Sequence, residues 1–206
     1  MTNTTPWLAH DARLRQAQRA EALGQRPFVL WFTGLSGAGK TSLAAELERV
    51  LLEQGYHTLL LDGDSLRRQL NQDLGFSDAD RAENIRRAGE VAALMLEAGL
   101  IVLATFISPQ ASARAAVRQR FADGQFVEVF VDVPVDVCET RDPRGLYRQA
   151  RAGVIAQFTG VSAPYEAPVN PDIRVCNHDQ PLSAAVVQVL EWLGRRGYLA
   201  RLQPQD

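Results

Sequence analysis

From Phe28 onward the chain alternates short, wholly apolar runs with longer stretches in which apolar residues recur every three or four positions. Phe28-Val-Leu-Trp-Phe32 runs into a glycine-rich turn, the pattern of a central parallel strand buried on both faces. Over 41–54, Leu43, Leu47, Val50 and Leu51 keep helical spacing until Gly55 stops it. A second strand is predicted over 58–61, closed by Asp62-Gly63-Asp64. Helical material follows to about Ala98, interrupted near Gly75, with Ser77 as the N-cap of the segment that begins at Asp78. Further strands are predicted over 100–104, 126–131 and 173–176. Helices are predicted around 111–121, from Pro134 in a first turn to a stop before Pro143, and from about 182 to 193. Strands alternating with helices imply an α/β fold, a parallel sheet flanked by helices on both faces.

The alternation fixes the organisation. Residues 1–25 are an N-terminal arm, in which 11–24 form either a short Ala/Arg helix or a loose segment, and residues 26–206 are one domain. Length alone leaves two small domains open. The stretch from about 142 to 170 breaks the rhythm. It is rich in proline and glycine and carries Arg144, Arg148 and Arg151. So long an irregular segment inside a compact domain reads as a mobile lid, the alternative being a solvated connection.

Composition then narrows the function classes. A net charge of −2 gives no global attraction to nucleic acid or to an anionic membrane, so any anionic ligand needs locally clustered cations. Cys138 and Cys176 lie far apart without metal-type spacing, and no apolar run reaches the roughly 20 residues that span a bilayer. The arm lacks the apolar segment of a signal peptide, so the expected location is the reducing cytoplasm.

The chemistry begins at Gly34-Leu35-Ser36-Gly37-Ala38-Gly39-Lys40-Thr41, a full G-x-x-x-x-G-K-[ST] pattern between a predicted strand and a predicted helix. Glycines let backbone N–H groups curl toward phosphate oxygens, and the helix presents its positive dipole end. Lys40 can bridge the terminal phosphates and Thr41 can offer its hydroxyl to Mg²⁺, so the expected ligand is a nucleoside triphosphate with Mg²⁺. No Asn-Lys-x-Asp is present to read guanine. Asp142-Pro-Arg-Gly145 matches D-x-x-G only after a predicted helix, which argues against a GTPase, and little length remains for a motor. A small-molecule kinase is left.

Asp62 and Asp64 fall at the carboxyl end of the second strand, where ligands of open α/β sheets bind. Asp64 suits a metal water or the proton of an attacking hydroxyl. Capping of the helix at Ser65 is the other reading for either carboxylate. Arg67, three residues beyond Asp64, shares its helical face and can meet an anion. Arg68 and Arg87 read as solvated. Phe76 is a stacking platform or a core residue.

At this point the residues resemble the adenylylsulfate kinases. The strings that carry the likeness are Gly34–Lys40, Leu61–Asp64, Leu70–Ser77, Asp80–Arg87, Phe106-Ile-Ser-Pro109, Arg141–Tyr147, Phe158-Thr-Gly160 and Tyr165–Pro168, covering about 28–175. The resemblance implies transfer of the ATP γ-phosphoryl to the 3′-hydroxyl of adenosine 5′-phosphosulfate. Lys40 and Asp64 would be catalytic, with Asp64 and Thr41 on the metal and Ser108 a phosphorylated serine or else a helix cap. Residues 34–42, Ser42 included, with Arg141 and Arg144 from the lid, would hold ATP. Asp62, Arg67, Phe76, Arg81, Asn84, Ile107 and Phe158 would hold the acceptor, the two phenylalanines sandwiching its adenine. A homodimer is implied, with docking on an ATP sulfurylase open. Three departures stand out. Gln110 and Ala111 replace the family's aromatic–arginine pair, with Arg114 as the compensating candidate. Thr41-Ser42 reverses the commoner order, and the 6–10 arm matches only faintly. The rivals are a P-loop kinase for gluconate, shikimate or another nucleotide, and a non-catalytic nucleotide-binding module.

Overall fold

The computed structural model describes residues 6–199. Five parallel strands form the sheet: β1 (Val29–Thr33), β2 (Thr58–Asp62), β3 (Ile101–Thr105), β4 (Phe126–Val131) and β5 (Ile173–Val175), in the order β2-β3-β1-β4-β5. The helices are α1 (Pro6–Ala22), α2 (Lys40–Glu53), α3 (Gly63–Arg68), α4 (Asp78–Glu97), α5 (Ala111–Arg118), α6 (Val135–Arg141), α7 (Leu146–Arg151) and α8 (Leu182–Arg195). The α/β expectation holds.

The two-residue period of a strand sorts the core into two layers. Leu30 and Phe32 of β1, with Ile101 and Leu103 of β3, pack on one face against Leu43 and Leu47 of α2 and Val189 of α8. Val29 and Trp31, with Val102 and Ala104, meet Ile85, Ala88 and Ala92 of α4 and Val117 of α5 on the other. Every residue of β1 is buried, which explains why its sequence is apolar without alternation.

Several boundaries shift for local reasons. Ser77 accepts from the Asp80 N–H and starts α4 as expected, whereas Pro134 is the N-cap of α6 and Val135 its first residue. The segment 142–170 is not wholly irregular, since it contains α7 and a short bridge between Thr159 and Ala163. In the arm, α1 is the helix rather than the loose alternative. Arg19 donates to the Glu97 carbonyl (2.8 Å), and the buried Gln25 donates to the carbonyls of His57 (2.9 Å) and Gly99 (2.8 Å). Residues 1–5 of the arm lie outside the described residues. No helix among the described residues is long and apolar enough to cross a membrane.

Candidate active site

A cleft of about 950 Å³ opens along the carboxyl ends of β1, β2 and β3. Every residue given a catalytic or ligand-holding role from the sequence lines it, except Gly34, Leu35 and Ala38, which belong to the glycine-rich loop but do not face it.

That loop owes its shape to glycine. Gly37 (φ 77) and Gly39 (φ 90) are left-handed; a Cβ on Gly37 would stand 2.9 Å from the Cys138 carbonyl, and one on Gly39 would strike the Asn177 amide. Lys40, 9% exposed, follows at the first position of α2, and among the described residues its Nζ donates only to the carbonyls of Gly34 (3.0 Å) and Leu35 (2.7 Å). Burial pulls its pKa from 10.5 down to about 8, opposed by Cys138, Asp64 and Asp62. A buried ammonium without a contacting carboxylate among the described residues, in a glycine cradle at a helix N-terminus, fits a polyphosphate. The loop is braced from outside. The Tyr147 hydroxyl donates to the Ser36 carbonyl (2.9 Å), Asn177 Nδ2 to the Ala38 carbonyl (3.1 Å), and Arg141 to the carbonyls of Gly37 (3.4 Å) and Asn177 (2.8 Å).

The two carboxylates divide their work. Asp62 caps α3, accepting from the Ser65 N–H (3.0 Å), and its other oxygen accepts from the hydroxyls of Thr41 and Thr105 (both 3.2 Å). Asp64 is not the cap. It lies in the first turn of α3, half exposed, and accepts from the guanidinium of Arg144, which reaches over from the 142–170 segment. The carboxylate beside Thr41 is therefore Asp62 rather than Asp64. A hydroxyl and a carboxylate side by side fit a hydrated Mg²⁺, which keeps waters and takes its remaining ligands from phosphates. Among the described residues there is no cluster of three acidic, His or Cys side chains that would form an all-protein cage.

At the acceptor end, Arg67 donates to the Gly75 carbonyl (2.9 Å) and lies over the Phe76 ring at 4.6 Å. Arg81 donates to the carbonyls of Phe76 (2.9 Å) and Gln157 and to the Thr159 hydroxyl. Neither makes an ion pair among the described residues. Partial burial lowers the pKa of both, and their mutual repulsion adds to the lowering for Arg67. Two such guanidiniums lining one cleft would suit an anionic group. Phe76 is 61% exposed, which removes the core alternative. Phe158 is half-buried, set edge-on to Tyr147 with centroids 4.9 Å apart. Asn84 and Ile107 line the same region.

Two expectations need correction. Ser108 does not cap the helix after it, because the N-cap of α5 is Gln110 and the Ala111 N–H is met by the Glu166 carboxylate (2.7 Å). Instead Ser108 is 2% exposed, with φ 39, a left-handed backbone strained for a non-glycine residue. Its hydroxyl donates to Thr33 (2.9 Å) and accepts from the Trp31 indole (3.2 Å). Arg114 does not compensate for the missing arginine. It is buried, pairs with Glu128 (3.0 Å), and donates to the carbonyls of Ser108 and Glu166 (both 2.6 Å). Arg151 pairs with Glu139 on α6, and Arg87 with Asp73 and Glu83.

Asn177, Tyr147 and Thr105 were missed by the sequence reading. The first two lie far along the chain from the loop they brace; the position of Asn177 just beyond β5, at the ligand-binding edge of the sheet, and the place of Tyr147 at the end of the Arg141–Tyr147 string were the available signals.

The family model described as adenylylsulphate kinase matches residues 26–176. An adenylyl-sulfate kinase of Shewanella oneidensis is 54% identical over 184 residues, 89% of this chain and 90% of that protein. One from Aeromonas hydrophila is 55% identical over 190 residues, 92% and 95%. Among solved structures, the Mycobacterium tuberculosis APS kinase in complex with AMPPNP and APS aligns with a TM-score of 0.79 and 50% identity, over 82% of this chain and 99% of that one.

Proposed function

The chain belongs to the adenylylsulphate kinase family, and from that premise we propose that it transfers the γ-phosphoryl group of ATP to the 3′-hydroxyl of adenosine 5′-phosphosulfate. One observation carries the reading. A single cleft has a buried lysine in a glycine cradle and two guanidiniums beside an exposed phenylalanine, none of the three in a contact ion pair among the described residues, with Asp64 also lining it.

In this reading the 3′-oxygen attacks the γ-phosphorus, the new O–P bond forms as the bond to the β-phosphate breaks, and Asp64 receives the hydroxyl proton. The loop N–H groups and Lys40 hold the polyphosphate and its developing charge. Thr41 and Asp62 would hold Mg²⁺, which would supply neutralisation of the polyphosphate charge. Arg67, Arg81 and Asn84 hold the acceptor's anionic group, and Phe76 and Phe158 take its adenine between them, Ile107 alongside. The segment 142–170 acts as the lid. Arg141 already rests on the phosphate loop, and Arg144 is drawn from Asp64 to the phosphates when ATP is bound, freeing the base. Ser108 supports Thr33 and Trp31 and carries no phosphoryl group, since in-line transfer needs no covalent intermediate. A homodimer, and docking on an ATP sulfurylase, follow from the family likeness alone. Light scattering and co-elution test them.

The deciding experiment measures ADP release from Mg·ATP with adenosine 5′-phosphosulfate, gluconate, shikimate or AMP. Stimulation by the phosphosulfate alone, with the 3′-phosphorylated product detected, is expected. Stimulation by another acceptor would keep a kinase and discard this substrate, and silence with measurable ATP binding would leave a binding module.

A further inference from the structure

Asn71 lies in the turn between α3 and α4 with its side chain wholly buried, and nothing above gives it a task. Its backbone is fixed at both ends. The N–H donates to the Leu66 carbonyl (2.9 Å) and the carbonyl accepts from Leu74 (3.1 Å). The side-chain Nδ2 donates to Asn84 Oδ1 at 3.0 Å, while its own buried Oδ1 has no hydrogen-bond partner among the described residues. An unmet buried amide oxygen is a penalty that a leucine of similar size would avoid. The asparagine is therefore retained for the bond at its other end.

That bond decides which face Asn84 shows. Asn84 is 5% exposed, lines the cleft, and follows Arg81 by three residues on the same helix face. With its Oδ1 engaged by Asn71, its NH₂ is the group left to offer a ligand. Beside Arg67 and Arg81, a donor suits an anionic acceptor and a carbonyl opposes one. The reversed pairing would bury both hydrogens of the Asn71 amide unmet and turn the Asn84 carbonyl to the anion, which is worse on both counts.

We propose that Asn71 is a positioning residue for the transfer reaction: it locks the Asn84 amide so that its NH₂, and not its carbonyl, faces the acceptor. This rests on the placement of Asn84 at the acceptor in the reading above.

Steady-state kinetics test it. In Asn71→Asp, read at a pH where its carboxyl is ionised, the side chain can only accept, so Asn84 must turn its NH₂ inward and present its carbonyl; at lower pH the protonated carboxyl donates and the lock should return. The acceptor KM should rise at least about tenfold, with kcat and the ATP KM held within about twofold. In an Asn84→Ala background the same substitution should add less than about twofold, because the lock has nothing left to orient. An Asn84→Ala variant that raises the acceptor KM, beside an Asn71→Asp variant that does not, would overturn the proposal alone. If Asn84→Ala leaves the acceptor KM unchanged, the placement of Asn84 falls and the proposal with it. Should the buried charge prevent folding, Asn71→Leu replaces it. That variant should melt no lower than the parent and raise the acceptor KM about three- to fivefold, again only when Asn84 is present. Equal increases in both KM values would mark a merely structural residue and overturn the assignment.

Discussion

The two ends of the cleft are built on opposite principles. The phosphate end is made of backbone and buried charge. Its loop hangs from the fully buried β1, its glycines are closed in by Cys138 and Asn177, and Lys40 is 9% exposed. The end proposed for the acceptor is made of side chains on α3, α4 and the 142–170 segment, and Phe76 there is 61% exposed. A polyphosphate is the same in every kinase and rewards a rigid, preformed cradle. A specific acceptor has to enter, be read and leave, which calls for groups that can move.

The largest effect should come from the residue placed between the ends. Asp64→Asn should lower kcat on the order of 10²–10⁴-fold while ATP affinity stays near the parent value. A fully active variant would remove the base and leave the two ends without a shared centre. Lys40→Ala should lower turnover about 10²–10³-fold without lowering the melting temperature, because it deletes a buried charge rather than a packed group. A large loss of stability would show that the lysine holds the loop together and not the ligand.

Phe76→Ala sharpens the contrast from the other end. Losing one stacking partner worth about 1–3 kcal/mol should raise the acceptor KM roughly 5- to 150-fold and leave the ATP KM unchanged. A change in both would mean that the ends are not separable.

The smallest effect concerns pH. With its pKa near 8, free Lys40 loses its proton as pH rises through 8, whereas bound phosphates favour the charged form. ATP binding should then take up a proton, and its Kd should rise by up to about tenfold per pH unit above 8. Titration calorimetry in buffers of differing ionisation heat reads this directly, and a Kd flat from about pH 7 to 9.5 would contradict it. The sign for folding is the reverse. The unfolded chain keeps this proton until about 10.5 and the native state releases it near 8, so this group makes the fold more stable as pH rises across that window.

The same contrast explains what could be seen in the sequence. The cradle is one contiguous string between a strand and a helix, and local pattern is enough to find it. So are the strands of a buried sheet, where apolar runs leave few alternatives. At the acceptor end Arg67 and Phe76 were marked from the chain, but Arg81, Asn84 and Phe158 only through resemblance, because they line one cleft through the fold and not along the chain. Contacts that depend on chain return were not visible at all. Tyr147 reaches Ser36, Asn71 holds Asn84, and Glu166 rather than Ser108 serves the start of α5. Asp62 and Asp64 show a finer limit: both were marked, but which one faces Thr41 depends on how α3 begins.

One consequence of the central strand concerns heat. β1 is paired on both sides, to β3 and β4, and covered on both faces, so its amides should exchange with solvent only when the whole domain opens. The α3 turn and the segment around Phe76 are exposed and open far more cheaply. On warming, the two recognition abilities should therefore fail in sequence. A partly melted population would still retain nucleotide after it had ceased to select an acceptor, so thermal inactivation of the reaction should precede thermal release of ATP.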